Sequence, residues 1–126
     1  MSYYNEEKYK KCVGKIVCEI EIDDDLCRLI FEDSTSLGLS LTGDCCSISE
    51  FSKNSREDVV DLIGAIIKSI EDRDNEEVRD KIIWEDEGEE NEYHCVFITT
   101  DKGHVTLDWR NASNGNYGGT CTAIFR

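Results

Sequence analysis

No stretch of this chain approaches the length of a transmembrane span, and neither terminus carries a lipidation motif, so no membrane association is expected. Phosphate-loop and dinucleotide fingerprints are missing too, because the nine glycines fall outside those spacings. Histidine is scarce: His94 and His104 stand on opposite sides of a turn, with no acid or nucleophile patterned around either. Positive charge is scarce as well. Twenty-eight acids against fourteen bases leave a formal charge of −14, which repels nucleic-acid backbones and argues against broad DNA or RNA binding. A small anion remains compatible with such a chain, since a few arginines and backbone amides can make a local positive pocket.

What is there begins with seven cysteines in 126 residues. The number is odd and no signal-like apolar segment precedes them, so the expectation is a reduced, cytoplasmic protein. Cys12, Cys18, Cys27 and Cys95 lie among aliphatic residues and are expected in the core as small hydrophobes. Cys45-Cys46 is an uncommon pair, because neighbouring cysteines cannot form an ordinary disulfide without distorting their shared peptide. One is expected to point into the core and the other towards a loop. The spacing of Cys and His does not fit zinc, and no metal or cofactor is expected.

An internal repeat organises the sequence. Lys11 to Glu21 over Asp61 to Glu71 aligns Gly14 with Gly64, Ile16 with Ile66, Ile20 with Ile70 and Glu21 with Glu71. In each copy an amphipathic run ends at an aliphatic-Gly pair and passes into alternating apolar residues, the pattern of a helix with a glycine stop leading into a strand. Ser55 is the expected N-cap of the second helix, with Val59, Val60, Leu62 and Ile63 as its apolar side. The first helix is expected around Asn5 to Cys12. Leu29-Ile30-Phe31 with Leu37 to Leu41 parallels Val96-Phe97-Ile98 with Val105 to Trp109, two hairpins turning at Glu32 to Ser36 and Thr100 to His104. The predicted architecture is one α+β domain over 1–126, an antiparallel sheet covered on one face by two short helices. Its pseudo-repeats span about 5–52 and 55–126. An acidic insertion over about 72–92 carries an expected edge strand at Val78 to Trp84 and a solvated loop at Glu85 to Glu92.

The densest polar stretch is Trp109 to Gly119, which packs aromatics, one cation, amides, a hydroxyl and glycines together. It reads either as a hairpin turn with a Gly-rich exit or as a binding segment, since Asn and Gly let backbone approach a ligand closely. As a binding segment, Arg110 offers a planar fork for a phosphate, with Arg28 as a second cation from the outward face of its strand. Asn111, Ser113, Asn114 and Tyr117 supply donors whose directions can be fixed, and the faces of Trp109 and Tyr117 can bracket a base or ribose. Backbone near Gly115, Gly118 and Gly119 suits an anion nest. Trp109 is as well read as a core residue. Arg56, Arg73 and Arg79 read as surface charges.

Taken in order, Gly43 to Ser47, Asp61 to Gly64, Gly103 to Leu107 and Ser113 to Gly119 resemble the first type of Thoeris anti-defence protein, a phage family, over roughly residues 40 to 125. The resemblance implies a non-enzymatic, homo-oligomeric sponge that captures a cyclic ADP-ribose isomer, or in some members cyclic oligonucleotides, in the host cytoplasm. This chain departs from the family pattern at Asp108, where a basic residue stands, and at Asn116, where an aromatic does. Two other functions stay open: a messenger hydrolase using His104, Cys45 or Cys46, and an acidic protein that blocks a basic partner by mimicking nucleic acid.

Overall fold

The computed structural model describes residues 3–43, 47–74, 90–113 and 119–126. Helix α1 (Tyr3–Lys10) leads into strands β1 (Val17–Ile22), β2 (Leu26–Phe31) and β3 (Ser36–Gly43), followed by β4 (Ser47–Phe51). Helix α2 (Lys53–Asp58) and a 3-10 turn (Val59–Leu62) then lead into β5 (Ile67–Asp74), β6 (Glu90–Thr100) and β7 (Gly103–Ser113), followed by β8 (Gly119–Phe125). The fold is α+β, with antiparallel strands and two short helices. The strands form two four-stranded sheets rather than one, ordered β1-β2-β3-β8 and β4-β7-β6-β5. Each half, a helix followed by four strands, therefore keeps three strands together and sends its fourth, β4 or β8, to the other half's sheet. The apolar faces of both sheets meet in a single core that includes Leu29, Leu39, Phe51, Ile98, Leu107 and Trp109.

The repeat aligned in sequence is visible as reciprocal bonding at one end. Gly14 N donates to Ile67 O at 2.8 Å and Gly64 N to Val17 O at 2.7 Å, while Ile67 N donates to Lys15 O and Val17 N to Ala65 O. Both glycines hold left-handed φ, +87° and +86°, a conformation that costs little only without a Cβ. Both strands that follow carry an irregularity one residue later, between Val17 and Glu19 and between Ile67 and Ser69. The hairpin register refines the alignment: Leu29 faces Leu37 as Ile98 faces Val105, so Leu29 corresponds to Ile98, two places from the expected Val96. A shift of two preserves strand facing, so the apolar pattern alone does not register it.

Local expectations fail where tertiary geometry overrides the pattern. Ser52, not Ser55, caps α2, its Oγ accepting from Ser55 N at 3.0 Å. After α2 the chain tightens to three residues per turn, so Val59 and Leu62 share the buried side while Val60 and Ile63 stay 51% and 48% exposed. Ser55 instead closes the edge of β7 where β4 leaves it: its Oγ accepts from Asp108 N at 2.8 Å and donates to Thr106 O at 2.9 Å. Asn5 does the same on β8, accepting from Ala123 N at 2.9 Å and donating to Cys121 O at 2.7 Å. The helices thus seal strand edges instead of covering one face, α1 packing against β8 and β5 and α2 against β7. Cys12, Cys27 and Cys95 are buried as expected, but Cys18 is exposed at the β1 irregularity and Cys121 takes a core position. Glu90 to Glu92 belong to β6, not to a loop, because the β6-β7 ladder runs out to the Glu90-Ser113 pair. The expected strand at Val78 to Trp84 lies outside the described residues.

Candidate functional site

The polar stretch from Trp109 and the Gly43 to Ser47 motif, a second polar segment, leave from the same end of the molecule. Connections from β3 to β4 and from β7 to β8 are the two exchanges between sheets, and their flanking residues pair directly: Gly43 with Gly119, and Ser47 with Ser113. The β1-β2 turn is tied to this end as well, with Asp25 O accepting from Leu41 N at 2.8 Å and Asp24 O from Phe51 N at 2.7 Å. Side-chain bonds join the exchange point: Ser49 Oγ reaches Thr42 O at 3.2 Å in one sheet and Asn111 Oδ1 at 3.0 Å in the other.

On the opposite face of β4 and β7, Arg110 lies against Glu50, its cross-strand partner. Nε and Nη2 of Arg110 both donate to Glu50 Oε1, at 3.2 and 2.9 Å. The residues are 1% and 8% exposed, so this ion pair is removed from water. Beside it opens a cavity of about 490 Å³ lined by Asp23, Asp24, Asp25, Ser49 and Glu50. Arg56 also pairs with Asp24.

Of the residues nominated from sequence, Arg110, Asn111 and Ser113 come together along the end of β7. Arg28 does not join them. It lies in the other sheet and pairs with Glu21 at 2.7 Å, on the face opposite buried Cys27 and Leu29. Asn114, Gly115, Tyr117 and Gly118, with Cys45 and Cys46, lie outside the described residues. Trp109 takes its core reading, 5% exposed and stacked on His94 with centroids 4.5 Å apart. Asp108 is engaged with α2 through Ser55. Glu50, Ser49 and Thr42 were not nominated, and only the flagged Gly43 to Ser47 segment next to them carried a signal. Among the described residues no group of three or more His, Cys, Asp or Glu side chains is arranged to hold a metal ion.

A family model described as a domain of unknown function (DUF7448) matches residues 10–123. The chain belongs to this family. The DUF7448 match takes in β1 to β7, most of β8 and the exchange point, whereas Asn5 and Tyr9 precede its first residue. No curated protein and no solved structure matches the chain.

Proposed function

We propose that the protein sequesters a cyclic nucleotide messenger without turning it over, holding it at the exchange point between the sheets and so blocking host anti-phage signalling. The observation that carries this reading is the convergence of the two polar segments on a hydrogen-bonded frame, with Gly43 paired to Gly119 and Ser47 to Ser113. The resemblance to Thoeris sponges names the ligand class, a cyclic ADP-ribose isomer or cyclic oligonucleotide. In this reading Glu50 fixes the Arg110 fork, and Asn111 and Ser113 lead into the contacts of Asn114, Gly115, Tyr117 and Gly118. A preorganised frame favours binding because less freedom is lost when the ligand arrives. Sequestration needs affinity below the signalling concentration and no chemistry. Incubation with cyclic ADP-ribose isomers and cyclic di- and trinucleotides, removal of free ligand, denaturation and mass spectrometry should return one intact ligand. Recovery of a cleaved product would sink the reading.

The carboxylates around the cavity favour a second reading, an acidic inhibitor of a basic nucleic-acid-binding partner. Asp23, Asp24, Asp25 and Glu50 line one opening of a chain that carries −14 overall. Binding to such a partner should weaken steeply with added salt and ignore substitution at Ser113 and Asn114.

A further inference from the structure

Helix α1 lies across a seam between the two sheets. β8 ends one sheet and β5 ends the other, and α1 packs against both. Ser36 and Arg126 exchange both backbone bonds, so by the alternation of an antiparallel pair Gly38 with Ile124 and Ser40 with Thr122 do the same. Cys121 and Ala123 therefore turn their amides and carbonyls away from β3. Asn5 fills that edge, accepting from Ala123 N and donating to Cys121 O, the two bonds that one residue of a parallel strand would make. Across the seam, Asn5 Nδ2 also donates to Asp72 Oδ2 at 3.0 Å and Tyr9 OH to Asp72 Oδ1 at 2.6 Å.

This hold differs in kind from the core beside it. Among the described side chains of α1, Asn5 and Tyr9 are buried, whereas Glu6, Glu7 and Lys10 are exposed. The anchors are side-chain hydrogen bonds, which water replaces when they break. A groove of about 310 Å³ between α1 and β5 already opens onto Tyr9 and Asp72. Eight residues make too short a helix to persist in water by itself. Just beyond it the chain is pinned, because Cys12 is fully buried and Gly14 N donates to Ile67 O. A short helix with few buried side chains, next to a fixed hinge, forms a unit of low local stability.

We infer that α1 is a strap that leaves β5 and β8 as one unit, hinged at 11–14, while both sheets stay folded. Opening bares the outward edge of β8 at Cys121 to Ala123 and returns the Asp72 carboxylate to water, and the ladder between β3 and β8 stays intact. β8 starts at Gly119, so the strap grips a strand that borders the exchange point. No ligand takes part, so the strap does not depend on the messenger proposal.

Amide hydrogen exchange of the intact protein, in urea below its unfolding transition, tests the strap. Ala123 N–H, which Asn5 accepts, and the helical N–H of Tyr9 should exchange through one shared opening that depends only weakly on urea. Both should exchange about 100-fold faster than Thr122 N–H in the β3-β8 ladder. Val59 lies in the core on the 3-10 turn, which packs against β7 and β1. Val59→Ala should speed Thr122 exchange about tenfold and leave Ala123 and Tyr9 unchanged, because the strap opens without the core. Exchange at Ala123 no faster than at Thr122, separate openings for Ala123 and Tyr9, or a Val59→Ala effect that is the same at all three would each overturn the inference.

Discussion

The two ends of this molecule are built on opposite terms. At one end four turns interlock through backbone bonds: Gly14 to Ile67, Gly64 to Val17, Glu32 to Ile16 and Asp101 to Ile66. At the other end the sheets exchange strands: a buried ion pair and an amide hold β4 to β7, and the Ser49 hydroxyl reaches across to β3. The first end is held chiefly by main-chain groups, with Asp101 Oδ1 accepting from Ile66 N and Lys15 paired with Asp33 beside them. The second depends on four particular side chains, Ser49, Glu50, Arg110 and Asn111. Backbone closure tolerates surface change, whereas a buried charge pair does not tolerate loss of either partner.

The largest expected effect separates these terms directly. Glu50→Ala removes the buried carboxylate to which Arg110 Nε and Nη2 both donate and should cost about 3–5 kcal/mol in urea denaturation. The double change Glu50→Met with Arg110→Met should recover much of that loss. If the single change costs less than the double, the pair is not what holds the exchange.

Smaller effects compare the two helices as edge seals. Asn5→Ala and Ser55→Ala each strand a backbone N–H, that of Ala123 or Asp108, and should cost about 1–3 kcal/mol each. Each also strands a carbonyl, Cys121 O or Thr106 O, but Asn5→Ala should be the more costly because it alone takes a donor from Asp72. Equal melting shifts for the two would remove the distinction drawn between them. At the interlocked end, Gly14→Ala and Gly64→Ala should each cost about 1–2 kcal/mol, since both force a Cβ into left-handed backbone. A cost at only one of the two would break the equivalence of the halves.

The effect that is smallest near neutral pH lies in the core that joins the ends. Burial pushes the Cys12 and Cys27 thiols up to about 12 from an ordinary 9.0, with Lys15 opposing and Asp33 adding to the shift at Cys12. Burial also raises Cys121 and Tyr9, the latter helped by nearby Cys121 and Asp72. The folded state favours the protonated forms of these groups. Their stabilisation is therefore complete below pH 9.0 and lost as pH rises towards 12. Urea midpoints should hold steady to about pH 9 and then fall, and a midpoint that stays flat through pH 11 would mean that these thiols are open to water.

Sequence alone determined the short-range features. Gly14 and Gly64 mark equivalent stops, the turns at Glu32 to Ser36 and at Asp101-Lys102 close two hairpins, and the apolar alternation of β2, β3 and β7 faces the core as it reads. These depend on φ preference and on a period of two, which neighbouring residues carry by themselves. The candidate site was legible only as polar segments at Gly43 to Ser47 and Trp109 to Gly119. That these segments leave from adjacent strand ends was decided by the exchange of β4 and β8 between sheets, a pairing between residues far apart in the chain. The same exchange set Glu50 against Arg110 and turned a residue that reads as a free cation into half of a buried pair. Ser55 shows the rule on a smaller scale: it reads as a cap, but α2 begins earlier and is capped by Ser52, and the Ser55 hydroxyl serves the open edge of β7, where an unpaired backbone N–H in the interior would be costly.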